Sequence, residues 1–326
     1  MTFTGAFVLI SVVIPTRNRP DLLLRAVKSA LAQTHRELEV LVVIDGPCAK
    51  SSAALAKVSD ARLRPIVLPA SVGGSDARNA GVRHAAGEWI AFLDDDDEWL
   101  PTKLEKQAAV AIQATEPYPI ISTGMVGISP TGRFPWPRRF PADGEPICEY
   151  LFNRRSLFRG EGQLQTSVLM TRKTLLELAP FTSGLRRHQD TEWYLRVDRI
   201  PGVAFHFVRE PLVLWYIEQP RESITNGQNW RSSLEWLQGN RERMTPRAYA
   251  GFISTQLAPE ASMEGAWGAV PELFKEMFRH GRPGVMEVSI FTAMWVLRSS
   301  FRRKVRALFH PKARVEEGSV ASSVGL

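Results

Sequence analysis

Apolar and polar positions fall into short blocks along the first hundred residues. Residues 10–15 (Ile-Ser-Val-Val-Ile-Pro) form a β-rich run, and Thr16-Arg17-Asn18-Arg19-Pro20 is the turn after it. From Asp21, Leu23, Ala26, Val27, Ala30 and Leu31 recur at steps of three and four, the spacing of one helix face, with Pro20 suited to its first turn. Apolar runs return at 39–44, ending in Asp45-Gly46-Pro47, then at 63–68 and 88–93. Between the last two, 76–86 reads as a helix preceded by Gly73-Gly74. Strand and helix in alternation predict a parallel α/β sheet. Ligands of such sheets bind beyond the carboxyl ends of the strands. Asn18, Asp45 and Asp94 each stand just past such an end, so one crevice could gather them.

The pattern loosens downstream. A helix is expected from Pro101 to about residue 115, then strands near 120–128, a turn at Pro130-Thr131-Gly132 and a Pro-rich passage to Pro146. Residues 165–171 read as a strand, 172–178 as a short helix, and the segment after His188-Gln189-Asp190 as a helix to about residue 200. Two strands, 203–208 and 212–217, look paired with each other. From Asn229 the chain reads helical, with breaks near Pro246, Pro259, Pro271 and Pro283. The expected organisation is a catalytic domain over 1–228, a helical extension over 229–310, and a small, polar, disordered tail over 311–326.

The most informative stretch is Trp89-Ile90-Ala91-Phe92-Leu93-Asp94-Asp95-Asp96-Asp97-Glu98-Trp99, an apolar strand that runs into four adjacent carboxylates. Like charges at close range repel by roughly 1 kcal/mol per pair even in water, and by more beside a low-dielectric sheet. A divalent cation is the natural offset, because hard cations prefer carboxylate oxygens. In an extended chain Asp94 and Asp96 point to one side, Asp95 and Asp97 to the other. A solvated loop, or acids placed at the start of the next helix, are the plainer alternatives.

Composition narrows the partners. The 326 residues are 44% hydrophobic, enough for one large domain with an appendage or for two domains. A net charge of +7 and a pI near 9.6 suit anionic partners: nucleotides, phospholipids or nucleic acid. No motif supports nucleic acid, and it is not expected. Cys48 and Cys148 make no disulfide framework or zinc cluster, which suits a reducing compartment. The apolar start has no basic leader and is not read as a signal peptide, and no run reaches the roughly 18–20 apolar residues of a spanning helix. The expected location is cytoplasmic, with a peripheral place at the inner face of the membrane left open. Ile290, Met294, Leu297, Phe301, Val305 and Leu308 form a stripe at helical spacing beside a row of Arg298, Arg302 and Arg306. Such a helix lies on an anionic membrane surface or packs its stripe on the domain.

Together, the opening Ser-Val-Val-Ile-Pro-Thr-Arg-Asn-Arg, Ala77-Arg78-Asn79-Ala80-Gly81, and Ala86-Gly87-Glu88 leading into the acidic run resemble the inverting glycosyltransferases of family 2 over roughly residues 11–217. That resemblance implies the GT-A fold, a mostly parallel nucleotide-binding sheet flanked by helices. It implies transfer of a sugar from a nucleotide-sugar, with UDP favoured, to an acceptor hydroxyl on a saccharide or lipid-linked molecule, in cell-surface polysaccharide or glycolipid synthesis. By the same match Pro15, Thr16 and Asn18 face the nucleotide, and Asp45 holds base or ribose, although the family usually has two adjacent acids where this chain has Ile44-Asp45. Arg78 contacts the nucleotide. Asp94 and Asp96 match the acids of the Asp-x-Asp motif, Asp95 fills the variable place, and Asp96 would ligate Mn²⁺ or Mg²⁺. Asp97 and Glu98 either support that site from behind its ligands or are simply exposed, and exposure is the expectation.

His188-Gln189-Asp190-Thr191-Glu192 resembles the family's acceptor-side Glu-Asp motif with Gln189 in place of the first acid, which makes Asp190 the expected catalytic base. On a helix Asp190 shares a face with Trp193, Val197 and Ile200; as an alternative it serves as the helix cap. Glu192 stands four residues before Arg196, as in a surface ion pair. Two rivals remain: a sugar-phosphate nucleotidyltransferase, which should carry a glycine-rich, lysine-bearing loop after its first strand, and a non-catalytic sugar-nucleotide or membrane-docking protein.

Overall fold

The computed structural model describes residues 8–130, 132–155, 162–217 and 229–297. Its first half follows the expected alternation: β1 (Ile10–Thr16), α1 (Pro20–Leu31), β2 (Leu38–Ile44), α2 (Ala49–Leu55), β3 (Leu63–Val67), α3 (Gly74–His84) and β4 (Trp89–Phe92). β1 lies between β2 and β4 with all pairs parallel, and its register sets Thr16 opposite Ile44 and Val13 opposite Phe92. The three strands therefore release their chains at one edge. β2 and β4 are buried throughout, as strands covered on both faces must be. The helix over 49–55 had no counterpart in the apolar pattern, because its seven residues carry Ser and Ala on both faces.

Beyond β4 the sheet becomes mixed. β5 (Glu98–Trp99), α4 (Lys103–Gln113), β6 (Tyr118–Ser129), β7 (Gly132–Trp136), α5 (Ile147–Phe152), β8 (Met170–Arg172), α6 (Lys173–Leu178), α7 (Gln189–Val197) and β9 (Val203–Tyr216) complete it. Among the described residues one nine-stranded sheet runs in the order β3-β2-β1-β4-β8-β6-β9-β5, with β7 on β6. Two expectations fail here. The supposed strand over 165–171 is a 3₁₀ turn at Thr166–Val168 followed by the three residues of β8. Its backbone leaves the sheet so that Thr166 and Ser167 can reach the acidic run. The strands over 203–208 and 212–217 do not pair with each other; they are one strand, β9, lying parallel to β6. The register shifts where Thr123 faces Val208 and Gly124 faces Pro211, so Arg209 and Glu210 bulge out and Pro211, which has no N–H to give a ladder, sits at the irregularity.

The C-terminal helices are α8 (Trp230–Gly239), α9 (Pro246–Phe252), α10 (Ala258–Met263), α11 (Ala269–His280) and α12 (Val285–Val296). Pro246 and Pro283 mark breaks as expected. Pro259 does not, because a π turn at Ile253–Leu257 joins α9 to α10 and widens the helix just before the ring that would clash with a normal turn. Pro271 falls in the first turn of α11, where its missing N–H costs nothing. Leu237, Phe252, Ile253, Leu273 and Met277 form a second hydrophobic cluster, which also takes in Cys148, Phe152 and Leu195 from α5 and α7. The extension is thus packed onto the sheet-bearing part through the helix that carries Asp190. Of the expected apolar stripe, Ile290 is buried; Phe301, Val305, Leu308, the arginine row and the tail over 311–326 lie outside the described residues. Among the described residues no helix is long and apolar enough to cross a membrane.

Close packing of α3 on β1 depends on Gly81: a Cβ there would sit 2.3 Å from Cγ1 of the fully buried Val13. Gly81→Ala should destabilise by about 1–3 kcal/mol in urea unfolding, overriding alanine's better helix propensity. In a Val13→Ala background the same change should be close to neutral or stabilising.

Candidate active site

At the carboxyl edge, the acidic run leaves β4 as a turn in which the Asp97 N–H donates to the Asp94 carbonyl (3.1 Å). The side chains still alternate: Asp94 and Asp96 are partly exposed, Asp95 and Asp97 buried. Protein groups offset the charge. Asp95 accepts from the Thr16 hydroxyl at 2.7 Å, and Arg19 bridges Asp95 and Asp96 at 3.2 Å each. Burial nevertheless pushes the Asp95 carboxyl up to about 6, against the pull of Thr16 and Arg19. Asp97 accepts from Ser167 Oγ at 2.6 Å. The expectation that Asp97 is exposed is therefore wrong, and Glu98 is no free surface acid either: it pairs with Arg25 (3.1 Å) and accepts from the Tyr216 hydroxyl (2.6 Å).

Asp94 faces the other way. Arg78, from the buried face of α3, donates Nη2 to Asp94 at 2.5 Å and Nη1 to Gln189 Oε1 at 2.8 Å, and Thr166 Oγ1 also reaches Asp94 (3.0 Å). One guanidinium thereby ties the acidic run to the first residue of α7. Gln189 explains itself in this setting: a second carboxylate at that position would add charge beside Asp94 and Asp190, whereas the amide oxygen accepts from Arg78 without it.

Asp190, at the second position of α7, is partly buried beside that network. Burial raises its pKa above the ordinary carboxylate range; the N–H of Thr191 and then Arg78 draw it down, and Asp94 pushes it up. Its Oδ1 accepts from the following N–H, of Thr191, at 2.8 Å. Asp190 is not the cap: His188 holds that place, with left-handed backbone at φ 57° and no capping side chain. Glu192 pairs with Arg196 (3.0 Å) as expected, but it is buried rather than on the surface, and it also receives Arg243 from the extension (3.3 Å) and the Thr182 hydroxyl (2.8 Å).

The residues expected to face the nucleotide are less tightly joined. Asp45 is buried and accepts from Ser71 Oγ (2.9 Å), Val72 N (2.6 Å) and Gly73 N (3.1 Å), holding the loop that leads into α3. Its own N–H donates to the Thr16 carbonyl, so the ends of β1 and β2 move as one. Pro15 and Thr16 close β1, and Asn18 is exposed in left-handed conformation at φ 57°. Arg19, Thr166, Ser167 and Tyr216 escaped the sequence reading. Arg19 and Thr166 pair with acids 76 and 72 positions away, and no local spacing signals such partners.

Among the described residues no three His, Cys, Asp or Glu side chains gather into a metal cage. Mg²⁺ sites often use only one or two carboxylates, completed by water and substrate phosphates. Asp94 and Asp96, the two acids of the run left partly exposed, fit a donor set of that kind.

The family model for glycosyl transferase family 2 matches residues 11–178, half of the chain. The chain belongs to that family. The nucleotidyltransferase reading falls with this match, and the protein is a glycosyltransferase. It is 27% identical to the amylovoran biosynthesis glycosyltransferase AmsB of Erwinia amylovora over 78% of this chain and 85% of that one. A shorter match, 31% identical over 32% of this chain and 42% of the relative, is to the UDP-Glc:alpha-D-GlcNAc-diphosphoundecaprenol beta-1,3-glucosyltransferase WfgD of Escherichia coli. The crystal structure of S. aureus TarS 1–349 in complex with UDP-GlcNAc shares the fold, with a TM-score of 0.60 at 15% identity, covering 92% of this chain and 88% of that one.

The extension grips the segment before Asp190. His188 Nε2 lies 2.9 Å from Ser233 Oγ, which donates to Glu260 (3.0 Å); Glu260 also receives both terminal nitrogens of Arg187. The His188 ring lies 4.6 Å from that of Trp236. Burial, aided by Arg187, pushes the His188 imidazole down to about 4, so the folded protein holds it neutral. Between about pH 6.5 and 4 the unfolded chain therefore binds the extra proton, and stability should fall as pH falls through that window, by up to about 1.4 kcal/mol per unit. His188→Asn, which tolerates the left-handed backbone, should flatten the difference in denaturant midpoints between pH 7 and pH 4.5.

Proposed function

We propose that this glycosyltransferase moves a hexosyl group from a UDP-sugar to a hydroxyl of a saccharide or lipid-linked acceptor, with inversion and with Asp190 as the base. The observation that carries the reading is the Arg78 bridge between Asp94 and Gln189, because it brings the donor-side acids beside the helix that bears Asp190. Attack from the face opposite the leaving group needs a proton acceptor and no covalent enzyme intermediate. Asp190, with its pKa raised by burial, is a stronger base than an exposed aspartate.

On the donor side, Asp45, Asn18, Thr16 and Pro15 line the nucleoside end, and Arg78 is available to diphosphate charge once donor binding competes with Asp94. Asp96, with Asp94 beside it, would hold Mn²⁺ or Mg²⁺, which supplies Lewis-acid stabilisation of the leaving diphosphate. UDP and a lipid-linked acceptor are favoured by the name of WfgD, and a role in cell-surface polysaccharide or glycolipid synthesis by that relative and AmsB together. The same reading places the protein at the inner face of a membrane as a peripheral enzyme. The unit boundaries proposed are a catalytic domain to residue 228 and a helical extension after it.

Asp190→Asn should lower turnover by about 10²- to 10⁴-fold while leaving nucleotide affinity and melting temperature near wild type. Glu192→Gln should instead reduce stability, since it weakens a buried carboxylate shared by two arginines. An active Asp190→Asn enzyme beside a stable but inactive Glu192→Gln enzyme would move the base to Glu192. For the metal, Asp96→Asn should abolish the Mn²⁺ dependence of UDP binding in calorimetry and lower transfer by at least about a hundredfold. Wild-type Mn²⁺-dependent turnover in that variant removes Asp96 as a ligand.

A further inference from the structure

The outer side of α11 and α12 carries apolar side chains that the second hydrophobic cluster leaves uncovered. On α11, Ala269, Leu273 and Met277 form the buried row. Phe274 and Phe278, one turn apart with tilted rings 4.7 Å from each other, lie off that row and are about half exposed. Trp267, 64% exposed, leans on the buried Trp295 at 5.6 Å, and Phe274 meets the buried Phe291 at 6.0 Å, so both exposed rings rest on α12. Met263 (72%), Val285 (86%) and Val296 (72%) extend it. Single exposed apolar residues need no explanation, but Trp and Phe side chains exposed together on neighbouring helices do.

Beside these residues the exposed cations outnumber the exposed acids, Glu264 and Glu272. Lys275, Arg279 and Arg282 are exposed there. Both acids of α11 have partners: Glu272, in its first turn, lies 3.6 Å from Arg231, and Glu276 accepts from the Tyr249 hydroxyl at 2.5 Å. After Leu297 the sequence supplies Arg298, Arg302, Arg303, Lys304 and Arg306, with no acid before Glu316. Aromatic rings with cations at their margin match the interfacial zone of an anionic bilayer, where rings sit at headgroup depth and each Lys or Arg meets lipid phosphate.

We propose that the Met263, Trp267, Phe274, Phe278, Val285 and Val296 face docks on an anionic lipid surface. This differs from the stripe suggested by sequence spacing, in which Ile290 is buried and unavailable. The inference rests on the peripheral-membrane part of the proposed function and names the surface responsible.

Flotation of the full chain with phosphatidylglycerol-containing vesicles tests it, against pure phosphatidylcholine vesicles. Wild type should float with the anionic vesicles at least about tenfold better than with the zwitterionic ones, with a blue shift in tryptophan emission. Trp267→Ser/Phe274→Ser/Phe278→Ser should lose at least about tenfold of that binding while retaining the wild-type melting temperature and UDP-sugar hydrolysis, and Trp267→Ser alone, the most easily tolerated change, should lose severalfold. Asp190→Asn should bind vesicles as wild type does, so that loss of catalysis and loss of docking are read apart. Absence of vesicle binding by wild type, equal binding by the triple and single variants, or a wild-type dimer that the triple variant dissolves would each overturn the proposal, the last by assigning the face to a second copy of the chain.

Discussion

Four adjacent carboxylates at the edge of a low-dielectric sheet set the constraint around which this site is built. Left alone they would repel one another and resist burial. The fold meets this with two guanidiniums that come from opposite sides. Arg19, in the loop after β1, spans Asp95 and Asp96; Arg78, on α3, takes Asp94. Each arginine thereby fixes an element as well as a charge, and the loop, the helix and the acidic turn become one unit. Thr16, Thr166 and Ser167 complete the neutral hydrogen bonds that a buried acid requires.

The two sides of the site are held differently. One rests on parallel strands β1, β2 and β4, whose side chains are almost wholly buried and whose ends are joined by the Asp45 to Thr16 backbone bond. The other depends on α7, whose first turn has no conventional cap and whose preceding residue is in the left-handed region. That weakness is made good from outside, by Ser233, Glu260 and Trp236 around His188 and by Arg243 on Glu192.

Much of this was legible in the chain. The periodicity of residues 10–93 specified the parallel half of the sheet because its strands are continuous apolar runs and its helices carry clear stripes. The acidic run, Arg78 and Asp190 were singled out by type and order, and the structure brings them into one neighbourhood. What escaped reading was everything set by long-range pairing. Thr166 and Ser167 lie in a β-like string of residues, yet their hydroxyls are drawn to acids some seventy positions earlier and the backbone turns to follow. Glu192 has a sufficient local partner in Arg196, so nothing in its neighbourhood announces Arg243 or its burial. The joined strand β9 was split by Arg209, Glu210 and Pro211, which look like a turn but form a bulge opposite β6.

The grip of the extension on α7 bears on how such enzymes diversify. The helices after residue 229 cannot simply be exchanged at that point, because any replacement must also present a hydroxyl to His188, a carboxylate to Arg187 and a cation to Glu192. α7 and the helices that hold it are inherited together. A seam drawn at the apparent linker would cut through those contacts, whereas one drawn to include α7 with its helices would carry them intact.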